Sequence, residues 1–199
     1  MDTIFQIMVL VMSVVIHEVA HGYAAGILGD PTARLQGRLT LNPLKHLDPV
    51  GSVIVPLLTS LSGFTFGWAK PVPYNPYNFR NQKWGESLVA AAGPLANIFL
   101  ALVFGLLIRF ASAPLGAAFV NIAAVIVVIN LVLAIFNLIP VPPLDGSKIL
   151  WAFLPERFRQ IRESMERYSF PLVIIVVFAV WKFLSPVIIW LFSLITGFR

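Results

Sequence analysis

Four apolar stretches dominate this 199-residue chain, at about residues 3–28, 86–111, 117–139 and 170–196. Each reaches the roughly 20 residues that carry a helix across the hydrocarbon of a bilayer. A soluble domain of this length has too little interior to hide them, because 58% of the residues are hydrophobic and only 12% are charged. The chain therefore reads as an all-α polytopic membrane protein with about four spanning helices. Gly29, Asp30 and Pro31 stop the first stretch, and Pro140 stops the third. A fifth run, about 50–66, is shorter and broken by Pro56, Ser60, Ser62 and Gly63, which suits a re-entrant or surface segment. Between about 70 and 80, Pro71, Pro73 and Pro76 block a helix and favour a short extended or β element. The polar stretch 156–167 reads as a surface helix. In the last run Lys182 and Pro186 leave open whether 170–196 is one kinked span or a short crossing followed by an interfacial piece.

The first run carries no Lys or Arg before Arg34, and polar residues interrupt it, so it reads as a retained span rather than a cleaved signal. Cysteine is absent, which excludes disulfides and thiolate chemistry. The formal charge of +5 fits basic loops facing anionic lipid, and no nucleic-acid partner is expected.

Those interrupting residues lie in VVIHEVAHGY, residues 14–23. His17 and His21 are four apart, so on a helix they share a face and can hold one metal ion. Glu18 lies between them, placed to act on a water beside that ion without being a ligand. Ionisable side chains at membrane depth are costly and mark functional sites. Two imidazoles are too few for a catalytic zinc, which takes three protein ligands and keeps one open position. His46, Asp48, Glu86 and Asp145 are the candidates for the third. Asp145 stands out, because it follows the third stretch in NLIPVPPLDG, residues 137–146. Pro140, Pro142 and Pro143 unwind the chain there and Gly146 allows a tight turn, giving irregular backbone that membrane depth tolerates only around a cavity. One Zn²⁺ per chain with Asp145 and Glu18 ionised also sums to zero charge.

HEVAH on the first core helix, AAAGPLAN on the second and NLIPVPPLDG after the third resemble the site-2 protease family of intramembrane zinc metalloproteases. The resemblance covers about residues 5–155, read as the protease core, with 156–199 contributing the surface helix and a C-terminal membrane segment. It is closest to minimal members without PDZ or CBS domains. The resemblance implies His17, His21 and Asp145 as zinc ligands and Glu18 as catalytic base. It implies proteolysis of helical, membrane-embedded protein substrates. Asn97 matches a polar residue of the family's middle core helix and is either an oxyanion donor or an interhelical hydrogen bond. Asn137 is expected to brace the backbone before Pro140.

A shared metal requires the first and third stretches to end on the same side, so run 50–66 is not expected to cross. Arg34, Arg38, Lys45, Lys70, Arg80, Lys83 and the basic residues from 148 to 167 then share one side, opposite Arg109. By the positive-inside rule the N-terminus is outside and the metal nearer the cytoplasm, in what reads as a prokaryotic plasma membrane. Residues 72–79 are a candidate edge for holding an unwound substrate by strand addition. The rival function is a metal-ion transporter or sensor, which would spread polar groups along a pathway rather than cluster them at one depth.

Overall fold

The computed structural model describes residues 3–55 and 69–198. Helix α1 (Thr3–Ile27) is a 25-residue run without an internal proline. Its end is set by Gly29, whose φ of 110° lies in the region that favours glycine. One face of α1 is buried along the row Ser13, His17, His21 and Ala25, four residues apart at each step. The opposite face leaves Ile4, Met8 and Met12 exposed. Polar groups inside and apolar groups outside invert the usual order of a soluble helix.

After the short α2 (Thr32–Leu35), the next long element is α3 (Gly85–Asn137), with 53 residues. Its backbone departs from helical geometry at Gly116, where φ is 76° and ψ is 170°. The two arms fold back on each other there. Asn97 donates to Asn130 across the pair at 2.8 Å, and a Cβ on Gly105 would sit 3.7 Å from Val127 Cγ2. Ala101 and Ile108 of the first arm pack against Ala123, Val127 and Leu131 of the second. Leu95, Phe99, Leu102, Leu106 and Phe110, spaced three or four apart, form an exposed apolar stripe. The chain continues through α4 (Asp145–Phe153), α5 (Arg159–Arg167) and α6 (Ser169–Thr196). Leu184 and Ile188 of α6 close the core between the arms of α3.

The expectation of about four spanning helices is corrected. Among the described residues two helices are long and apolar enough to cross a membrane, Thr3–Ile27 and Gly85–Asn137. The stretches 86–111 and 117–139 are the two arms of one helical element that turns back at Gly116, because residues 112–115 stay helical right up to the turn. The last run is a single 28-residue helix, α6, with Pro186 inside it. The route of 50–66 falls largely outside the described residues. Its start, Val50–Ile54, is a wide helical turn capped by the Asp48 carboxylate, which accepts from the Val50 and Gly51 amides.

The expected β element is also corrected, since residues 69–80 contain no strand. The backbone has no regular structure before a 3₁₀ turn at Pro76–Asn78, which Asn75 enters in an extended conformation. Prolines remove three of its donors, and side chains or loop carbonyls take others. Lys70 N–H bonds the His46 carbonyl, Val72 N–H bonds Glu18, and Asn75 N–H bonds Asp30. A segment so engaged has no regular row of groups to offer a neighbouring strand.

This strap is held at both ends. Arg38 donates to the Lys70 and Pro71 carbonyls. Buried Asp30, just past α1, accepts from Asn75 N–H and Asn78 Nδ2, both at 2.7 Å, and from Thr32. Burial by itself would raise the Asp30 pKa, but the hydrogen bonds from Thr32, Asn78 and Asn75 outweigh it and hold the carboxyl below its ordinary value. A depressed folded pKa contributes stability that is present above the unfolded pKa and is lost as pH falls through the folded one. Thermal unfolding followed from neutral pH down through about pH 4 should therefore show an acid-side loss that Asp30→Asn flattens. Identical acid-side slopes in the two proteins would refute this role.

Candidate metal centre

The site forms where α1, the first arm of α3 and the start of α4 meet. His17 and His21 project from the buried row of α1, their rings 4.6 Å apart and nearly perpendicular. Asp145 is the first residue of α4, delivered by the irregular stretch that follows α3. Its Oδ2 lies 3.1 Å from His17 Nε2 and 3.3 Å from His21 Nε2. One ligand atom from each of the three residues falls within 4.8 Å of the others.

The far side of each ring is fixed. His21 Nδ1 lies 2.7 Å from the Val89 carbonyl, which can only accept, so that nitrogen carries a proton and Nε2 keeps its lone pair in the neutral ring. His17 Nδ1 donates to Asn97 Oδ1 at 2.6 Å. Both imidazoles thus aim Nε2 at the Asp145 carboxylate. Three lone pairs converging in a buried space repel one another, and a divalent cation relieves them. Such outer hydrogen bonds are how metal-binding histidines are oriented and made more basic. Two imidazoles and a carboxylate are an ordinary donor set for zinc and leave one coordination position open.

Small residues make the space. A Cβ on Gly93 would stand 2.5 Å from Nε2 of both His17 and His21. Gly146 lies so close to the Leu138 carbonyl that any side chain would displace the turn presenting Asp145. Pro140 is exposed in that turn, and Asn137 donates to the Leu133 carbonyl one helical turn back at 2.9 Å. Asn137 therefore braces the last turn of α3 rather than the stretch beyond it.

Glu18 is half-buried beside the centre, and its Oε2 accepts from Val72 N–H at 2.8 Å. The strap is pinned over the site at Tyr74 as well. The Tyr74 hydroxyl donates to Glu86 at 3.0 Å, and Lys148 Nζ stands 5.1 Å from the Tyr74 ring centre. The other candidate ligands lie elsewhere. His46 bonds the Thr40 carbonyl, Asp48 caps the turn after it, and Glu86 also pairs with Arg162. Sequence reasoning missed Gly93, Val89, Ser13 and Asn130. The glycine was legible as part of a small-residue patch, whereas the Val89 carbonyl and the two polar side chains meet the site only through helix packing.

Two imidazoles, a carboxylate and an adjacent glutamate define a site of the zinc-hydrolase class. The model of peptidase family M50 matches residues 108–180, which include Asn137, Pro140, Asp145 and Gly146. Among curated proteins the chain is 38% identical over 181 residues to the one named "Putative zinc metalloprotease YwhC" of Bacillus subtilis, covering 87% of this chain and 80% of the relative. It is 29% identical over 185 residues to a Rip2 of the same description from Mycolicibacterium smegmatis, covering 92% and 70% respectively. A shorter match, 44% identical over 62 residues and 31% of each chain, is to the one named "Putative zinc metalloprotease MJ0611" of Methanocaldococcus jannaschii. No solved structure matches the chain. The chain belongs to peptidase family M50, and it is a zinc metalloprotease.

Proposed function

We propose that this protein is an intramembrane protease, hydrolysing peptide bonds within or near the transmembrane segments of membrane-protein substrates in regulated proteolysis. The observation that carries this reading is a buried polar centre built on helices whose outer surfaces are apolar. His17, His21 and Asp145 hold the zinc, and Glu18 is the catalytic base. Zinc, when bound, supplies Lewis acidity and makes water nucleophilic at neutral pH. Glu18 takes the proton from the attacking water and returns it to the leaving amine. Val72 N–H holds the Glu18 carboxylate in place, and His17 and His21 are kept in their ligating tautomer by Asn97 and Val89. Both hydrogens of the Asn97 amide are engaged, one by Asn130 and one by the Ser13 carbonyl. Its role is therefore to orient His17 rather than to bind an oxyanion.

The reading extends to orientation. Arg34, Arg38, Lys70, Arg80 and Lys83 all follow the C-terminal end of α1 and precede α3, at the end of α1 that bears His17 and His21. Positive charge favours the cytoplasmic face, so the metal lies nearer the cytoplasm and the N-terminus outside, in a prokaryotic plasma membrane. Purified protein in liposomes should cut a transmembrane peptide at a bond inside or next to its apolar segment. A zinc chelator should stop the reaction and added zinc restore it. Cleavage of soluble peptides alone, with the membrane peptide left intact, would refute the intramembrane assignment.

A further inference from the structure

Below the metal centre, one turn of α1 toward its N-terminus, lies a fully enclosed polar cluster. Ser13 is 4% exposed, and Asn97 and Asn130 are 0% exposed. The three come from α1 and from the two arms of α3. Asn130 Nδ2 donates to the Ile126 carbonyl at 2.9 Å and to Ser13 Oγ at 3.0 Å. Asn97 Nδ2 donates to Asn130 Oδ1 at 2.8 Å and to the Ser13 carbonyl at 3.3 Å. Asn97 Oδ1 faces His17 Nδ1.

The polarity of this chain is dictated from its far end. A backbone carbonyl can only accept, so the Ile126 oxygen forces Asn130 to present its NH₂ there and its Oδ1 toward Asn97. Asn97 must then answer with its own NH₂, which leaves its Oδ1 to His17. His17 in turn must carry its proton on Nδ1 and leave Nε2 bare. Reversing any amide would set two donors or two acceptors face to face where no water can intervene, which is costly in a low-dielectric interior.

We infer that Asn130, seated by Ser13 and the Ile126 carbonyl, is a positioning residue for the metal centre, setting the tautomer and direction of His17 through Asn97. This rests on His17 being a zinc ligand, as proposed above. A plain interhelical hydrogen bond would use the same atoms to hold α1 against α3 without affecting the metal, so the two roles separate in metal affinity.

The test is zinc affinity by chelator competition on folded, purified protein, with apo thermal stability measured beside it. Loss of an outer hydrogen-bond partner costs about 10–100-fold in metal affinity. Asn97→Leu should fall in that range, and Asn130→Leu, one step further out, should lose about tenfold. In the Asn97→Leu background, Asn130→Leu should cost nothing further, because its effect passes through Asn97. Asn130→Asp, neutral in this enclosed setting, keeps a carbonyl toward Asn97 and a hydroxyl toward Ile126, and should restore near-native affinity. Wild-type affinity in Asn130→Leu, or losses that simply add in the double variant, would overturn the inference. Should Asn130→Leu fail to fold, Asn130→Ala is read by the same criteria. The measurement needs no substrate, so absence of membrane proteolysis would defeat the proposed function while leaving this result standing.

Discussion

Replacing Glu18 with glutamine should lower peptide-bond hydrolysis by about 10²–10⁴-fold, the usual contribution of a positioned general base, while zinc stays bound. Glutamine has nearly the same shape, and its amide oxygen can still accept from Val72 N–H, the bond that Glu18 makes at 2.8 Å. The strap and α1 should therefore keep their places. What disappears is a carboxylate able to take a proton from water and pass it to the departing amine. The three metal-binding side chains are untouched, so zinc content should match the wild type, and a drop in Tm should be slight. Turnover of a transmembrane peptide beside metal analysis checks both halves of the expectation. A variant that cleaves at the wild-type rate would remove Glu18 from the chemistry. One that loses zinc as well would recast Glu18 as part of the metal's own environment. A transporter would have no proteolysis to lose, which separates the rival reading.

The local code of this chain was readable and its long-range geometry only partly so. The spacing of His17 and His21 states a shared helical face directly, because helix periodicity is a local property. Asp145 could be singled out among four acidic or imidazole candidates because its proline-broken, glycine-containing surroundings suit a turn at depth, and the structure brings it to both imidazoles. Apolar length, in contrast, divided into separate helices what the structure joins as one helical element turning back at Gly116. A hydropathy profile cannot tell a loop at 112–116 from a helix kinked at Gly116, since both contain the same small and apolar residues. The strap misled in a related way. Its prolines correctly argued against helix, but a strand requires a partner, and its amides bond instead to Glu18, Asp30 and the His46 carbonyl. Asn130 and Ser13 were illegible as a cluster because they lie 117 positions apart and meet only once three helical segments pack.

The second large effect concerns Asp145 and bears on the claim that all else depends on. Asp145 is buried against both imidazoles and supplies the only anionic donor among the three. Its removal deletes one ligand of three and also the charge that, with Glu18, neutralises a divalent cation in a region of low dielectric. The two histidines would remain oriented by Asn97 and the Val89 carbonyl, so the protein should still fold, with the metal as the casualty. Asp145→Ala should lower zinc affinity by at least about 10³-fold, or roughly 4 kcal/mol, and abolish cleavage. The direct measurement is zinc per chain in the purified wild type and in Asp145→Ala after equilibration with a competing chelator. The account predicts one zinc per chain in the wild type and almost none in the variant. Equal zinc retention in the two proteins, or a wild type that cleaves its substrate without zinc, would contradict it.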